Sequence, residues 1–189
     1  DSKAKNKDLI KRKLETVGDG FTPPGQLFVR QFPTSQATVP DIEAYLRQIE
    51  EERKIKLGCV VIDYINILAN YRNLNSENMY LKIKQIAEDL RAMGVRNGWL
   101  IVTATQINRN NYNSTDIGMG DVAESAGLSH TADLMLGIIQ DDIMRASNEY
   151  WLKILKIRDG EGKGVKCKLN INYNYMRLTE TDEVTNSNI

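Results

Sequence analysis

Three apolar runs constrain this chain more than any other feature: LGCVVID (57–63), WLIVTATQ (99–106) and DLMLGII (133–139). Each reads as a buried strand, of the kind that a parallel sheet covers on both faces. A helical pattern separates the first two, because Met79, Ile83, Ile86, Leu90 and Met93 step by threes and fours. Ser76 can cap its start and Gly94 can end it. A second helical pattern precedes the first run. It begins at Pro40, aligns Ile42, Tyr45, Leu46 and Ile49, and carries the i,i+4 pairs Glu43–Arg47 and Glu50–Lys54. Strands alternating with helices predict an α/β fold with parallel central strands and helices on both faces.

Around this centre the chain is punctuated by turns. QLFVRQF (26–32) alternates enough for a short strand after Pro23-Pro24-Gly25. Asn108 to Gly120, rich in Asn, Ser and Gly, is expected to be a mobile linker, and a short helical stretch is expected around Val122–Ser125. YWLKILKI (150–157) and GVKCKLNIN (164–172) flank the turn DGEGKG and predict an antiparallel hairpin. NYNYMRL leads into a last edge strand, and residues 181–189 are expected to be a disordered tail. With 189 residues, no repeat and no compositional break, 1–180 read as one domain.

Composition narrows the classes. No stretch reaches the roughly 20 apolar residues of a membrane span, and DSKAKNKDLIKRK at the start lacks the apolar core of a signal peptide. Twenty-five basic residues balance 25 acidic ones, so net charge does not announce a nucleic-acid partner. Cys59 and Cys167 sit in apolar or alternating runs and read as small core residues, not as a disulfide or metal pair. His130 is the single histidine, which argues against a histidine-based zinc site and for a capping or packing role.

In open α/β sheets, ligands bind beyond the C-terminal ends of the strands. Asp63 and Gln106 stand where two adjacent strands should end. A carboxylate there can hold magnesium directly or through water, and a carboxamide can orient a water near a terminal phosphate. Equally, Asp63 can cap a loop and Gln106 can simply close a strand. The GK of GEGKG fails as a phosphate loop, since Ile157 and Gly164 occupy the positions where the motif needs glycine and Ser or Thr.

VVIDYINIL, QIAEDLRAMGVRNGWLIVTATQINR, GDVAESAGLSHTADLML and LKIRDGEGKG, taken in order, resemble the ATPase domain of DnaB-type replicative helicases, closest to the T4-type phage members. The resemblance runs from about Leu27 to Leu178. It implies a truncated RecA-like P-loop NTPase fold, a homohexameric ring, ATP and Mg2+ between subunits, and 5′→3′ translocation on single-stranded DNA through the channel. It also implies primase and a helicase loader as partners, and the host-cell cytoplasm as location. Another RecA-like ATPase, of recombinase or clock type, and a non-catalytic module of the same fold are the alternatives.

Carried over residue by residue, Asp63 matches the Walker B aspartate that supports magnesium. Gln106 matches the glutamine that senses the γ-phosphate, both acting in cis. Lys156 and Arg158 match the K-x-R pair that reaches the neighbouring subunit's ATP, with Arg158 as the arginine finger. DNA contact is expected from Asn70 to Asn78, with Arg72, and from the segment running through Arg109 and Glu124 to Gly127. Where bacterial members have R-E-S-G this chain has Ala123-Glu124-Ser125-Ala126, so a DNA-binding arginine is missing and its role shifts toward Arg109 or backbone amides. The family's phosphate loop and catalytic glutamate lie upstream of the matched segment, so the 189 residues alone are expected to be monomeric and not to hydrolyse ATP at a helicase-like rate.

Overall fold

The structure, a computed structural model, describes residues 25–72, 79–106, 116, 118 and 125–186 (backbone only at 125, 126 and 182–186). It divides into a unit Asp1–Phe32 and a unit Pro33–Ile189. In the first, 26–32 form no strand. Leu27 and Val29 are 78% and 83% exposed, and none of the described strands pairs with this stretch. Alternation without a partner for its amide groups does not make a strand.

In the second unit, helix α1 (Val39–Arg53) starts at a capping box that the sequence reading passed over. The Thr38 hydroxyl accepts from the Asp41 amide at 3.4 Å, and the Thr38 amide donates to Asp41 Oδ2 at 2.9 Å. Pro40 lies in the first turn, and Ile42 and Ile49 are buried. Glu43 pairs with Arg47 as expected, at 3.2 Å. Glu50 instead accepts from the Leu57 amide at 2.8 Å and from Trp99 Nε1 at 3.1 Å.

Strand β1 (Cys59–Ile62) pairs in parallel with β2 (Leu100–Thr103), Val60 beside Ile101 and Ile62 beside Thr103. Helix α2 (Met79–Asn97) joins them and buries Ile83, Ile86, Leu90 and Met93. It does not end at Gly94. It runs on to Asn97 and stops at Gly98, whose φ of +71° suits the left-handed turn. Gly94 has a different task. A Cβ there would lie 2.8 Å from Ile101 Cγ1 and 2.9 Å from the Trp99 carbonyl, so its absence lets β2 run close under the helix. On the opposite sheet face Val61, Leu100 and Val102 are 72%, 62% and 44% exposed. Cys59 shares that face and is a free, exposed thiol, not a core residue.

Helix α3 (Ser125–Thr131) occupies a stretch read from sequence mostly as connection. Strand β3 (Leu134–Ile139) is antiparallel, not parallel. It pairs with β4 (Glu149–Ile157), which pairs with β5 (Val165–Asn172), which pairs with β6 (Arg177–Asn186). The link from β3 to β4 holds only the short helix α4 (Asp142–Ala146), capped by Asp141, and is too short for a crossover. The parallel sheet therefore has two described strands and the antiparallel sheet four. Strand β6 continues past Thr181, where a disordered tail was expected, because β5 offers it partners as far as Val165 beside Asn186. Among the described residues no helix is long and apolar enough to cross a membrane.

Candidate nucleotide and interface site

Asp63 leaves β1 directly after Ile62, at the C-terminal end of the parallel pair, and is exposed. The two strand ends are stitched together around it. Thr103 Oγ1 donates to the Ile62 carbonyl at 2.9 Å, and the Ile65 amide donates to the Ala104 carbonyl at 3.3 Å. Thr105 Oγ1 lies 3.0 Å from Asn66 Oδ1, and Gln106 Nε2 donates to the Tyr64 hydroxyl at 3.3 Å. Register thus brings Asp63 and Gln106 to one edge, as the sequence reading expected, with Tyr64 as a link it gave no role. Among the described residues Asp63 has no hydrogen bond or ion pair, so both its oxygens are open to solvent.

A single free carboxylate at a strand end suits magnesium bound through water with phosphate oxygens completing the shell, since this ion keeps several waters and needs few protein ligands. Among the described residues no cluster of three or more His, Cys, Asp or Glu forms a self-sufficient cage. The residues present thus fit one side of a magnesium–nucleotide site.

The K-x-R pair lies elsewhere, at the C-terminal end of α3. A helix leaves its last four carbonyls without intrahelical partners. Here the Leu128 carbonyl accepts from the Ala132 amide at 2.9 Å. The other three take one cation each: Ser129 accepts from Lys156 Nζ at 2.5 Å, His130 from Arg158 at 3.1 Å and Thr131 from Arg91 at 3.0 Å. Cations at this end also meet the negative pole of the helix. Lys156 donates a second time, to the Ala132 carbonyl at 2.6 Å.

One carboxylate stands among the three cations. Asp133 lies 2.6 Å from Arg91 and 3.0 Å from Arg158, and the Arg158 amide donates to the Asp133 carbonyl at 2.9 Å. The Arg91 guanidinium above all, with Arg158 and Lys156 nearby, holds the Asp133 carboxyl below its ordinary value. Sequence reasoning assigned Asp133 and Arg91 no role; the signal available was an acid placed directly before an apolar run. His130 contributes its backbone carbonyl, and its ring is not part of the contact.

Of the residues expected to touch DNA, Arg72 and Gly127 are among the described residues. Arg72 is engaged by Asp89 and lies 3.9 Å from Glu88, both on α2. Asp89 is buried, and its Oδ2 has no partner among the described residues. Gly127 is buried where a Cβ would meet Lys84 Cβ at 2.8 Å, so it sets the close approach of α3 to α2. Arg109 and Glu124 lie outside the described residues.

This arrangement has relatives. Residues 8–180 match the model of the DnaB-like helicase C terminal domain. Over 138 residues the chain is 35% identical to the DnaB-like replicative helicase of Enterobacteria phage T4; the match takes in 72% of this chain and 29% of that protein. A solved DnaB-like replicative helicase, described with its interactions with primase, superposes with a TM-score of 0.65 at 23% identity, over 76% of this chain and 35% of the other. A solved ATPase domain gives a TM-score of 0.66 at 22% identity, over 77% and 52%. With its family model matched over nearly the whole chain, the protein belongs to the DnaB-like helicase C terminal domain family.

Proposed function

We propose that this chain is part of the motor of a homohexameric replicative helicase that couples ATP hydrolysis to movement along single-stranded DNA and to duplex unwinding. One observation carries the reading. Asp63, without a partner among the described residues, and Gln106 stand together at the C-terminal edge of a parallel pair, where α/β sheets take their ligands.

In this reading Asp63 holds Mg2+ through water, and the ion supplies charge neutralisation at the phosphates. Gln106 reports the state of the γ-phosphate to the segment that follows it. Arg158 acts in trans as the arginine finger on the neighbouring subunit's ATP, with Lys156 beside it. No phosphate-loop motif occurs among these 189 residues, so turnover at a helicase-like rate needs one supplied alongside them. DNA is held through the segments containing Arg72, Arg109, Glu124 and Gly127, which makes binding sequence-independent and salt-sensitive. Arg72 must exchange Asp89 for phosphate to take part. Primase and a helicase loader are the partners, and the cytoplasm of the host cell is the compartment.

The test uses a ring-forming protein that contains this chain together with a phosphate loop. Arg158→Ala should leave ATP binding nearly intact and abolish DNA-stimulated turnover, since such fingers contribute about 10³–10⁵ in rate. Asp63→Ala should also abolish turnover. Mixing the two variants should restore part of it, because each supplies across the interface what the other lacks. No recovery at any mixing ratio sinks the trans assignment.

A further inference from the structure

We propose that Asp133 is the positioning residue for Arg158, and that Arg91 in turn holds Asp133, so that the finger is aimed by the C-terminal end of α3. The inference rests on the trans role of Arg158 proposed above and names what makes that role possible.

Arg158 follows directly on β4, where the chain leaves the sheet for a turn, and its side chain is long and only partly covered. Left to itself such a side chain samples many rotamers, and a group that must meet a developing charge works best when its place is set beforehand. Three contacts restrain it. Its amide donates to the Asp133 carbonyl at 2.9 Å, and its guanidinium forms an ion pair with the Asp133 carboxylate at 3.0 Å. A second guanidinium nitrogen donates to the His130 carbonyl at 3.1 Å. Of the five N–H donors of an arginine side chain, one is spent on the His130 carbonyl, and the others remain for an incoming anion.

Asp133 is itself fixed. Arg91, from α2, donates to its other carboxylate oxygen at 2.6 Å and to the Thr131 carbonyl at 3.0 Å. Arg91 and Arg158 both pair with this one carboxylate and Lys156 lies close by, so the cluster keeps an excess of positive charge. Asp133 therefore orients the finger without neutralising it. A carboxylate that sequestered the finger would instead pair with it alone.

The experiment uses the same ring-forming protein. Asp133→Asn keeps the shape and removes the charge. Expected is a fall of about 10- to 100-fold in kcat, the size of effect that misplacing a catalytic group produces, with KM for ATP within twofold. Asp133→Glu should recover part of the loss. Mixing Asp133→Asn with Asp63→Ala subunits should also restore turnover, because the second kind supplies a correctly aimed finger to the intact site of the first. A merely structural role for Asp133 predicts no such recovery. If Asp133→Asn rings do not assemble, Arg91→Gln, which leaves Asp133 in place, should lower kcat in the same trans-rescued way. Normal turnover by Arg158→Ala rings overturns the proposed function and this inference together. Loss of turnover with Arg158→Ala, but unchanged or raised kcat with Asp133→Asn, overturns the positioning role alone.

Discussion

Gln106 and Tyr64 meet across the ends of the two parallel strands, the carboxamide Nε2 3.3 Å from the phenol oxygen. Tyr64 is the residue directly after Asp63, so the acid and the glutamine are joined through one side chain. In the function proposed above, a change at the phosphate end of the site would pass through that contact to the segment beyond Gln106.

Tyr64→Phe tests this link. It removes the oxygen that Gln106 donates to and little else, so stability should change by no more than about 1 kcal/mol. In a ring-forming protein the ATPase rate without DNA should hold within about threefold, by the proposal that Gln106 couples the site to DNA. Stimulation of that rate by single-stranded DNA should fall. Unchanged stimulation would falsify the coupling role of the pair.

Gly94→Ala should destabilise the chain even though alanine is the better helix former by about 1 kcal/mol. The new Cβ would press on Ile101 Cγ1 at 2.8 Å and on the Trp99 carbonyl at 2.9 Å, and the second of these is backbone that cannot step aside. A net loss of about 1–3 kcal/mol is expected, the usual cost of overpacking. Urea unfolding monitored by circular dichroism should show the lower midpoint.

Thr38→Ala removes one half of the capping box and should cost about 1 kcal/mol. The effect should be local to α1, visible as faster amide exchange at Asp41 and Ile42. Both amides point at Thr38, one at its hydroxyl and the other, at 3.1 Å, at its carbonyl. Equal exchange in the two proteins would mean that the cap contributes nothing.

Acid should weaken the fold in a defined window. The Thr38 hydroxyl lowers the Asp41 carboxyl, Arg96 chiefly lowers Glu43, and Arg91 chiefly lowers Asp133, from ordinary values of 3.8, 4.5 and 3.8. A depressed folded value means that each contribution is complete above the ordinary value and disappears as pH falls through the depressed one. Melting temperature should thus be flat with respect to these groups from neutral pH down to about 5 and decline below the ordinary values. Thr38→Ala should flatten the part of that decline due to Asp41. Glu43 and Asp133 owe their shifts chiefly to arginines, so high salt should reduce their part of the decline, while the part due to Asp41, held by neutral Thr38 groups, should persist.

Much of this architecture is legible from residue order. Apolar runs of strand length, the threes and fours of α2, and the turn DGEGKG are local patterns, and local backbone preferences answer to them. Asp63 was found in the same way, as a charge that interrupts an apolar run. Gln106 stands out likewise, as the polar residue that ends the next run, and the family resemblance adds Lys156 and Arg158, residues whose spacing alone says little.

Other features depended on what lies far away in sequence. The run 133–139 looks like any buried strand; its antiparallel pairing came from the short, helix-filled link to β4. Gly94 reads as a helix stop, and only the close passage of Ile101 shows why the helix runs through it. Arg72 reads as a free cation until Asp89, seventeen residues on, takes it. The four carbonyls that end α3 are satisfied from Ala132 next door, from Arg91 on α2 and from Lys156 and Arg158 at the end of β4. Sequence by itself determined where strands β1 to β5 and helices α1 and α2 form and which acid ends the first strand, because periodicity and chain stiffness act over a few residues. Apart from the local Glu43–Arg47 pair, tertiary structure decided the partners of the charges, because a buried or half-buried polar group takes whichever donor or acceptor the packing brings within about 3 Å.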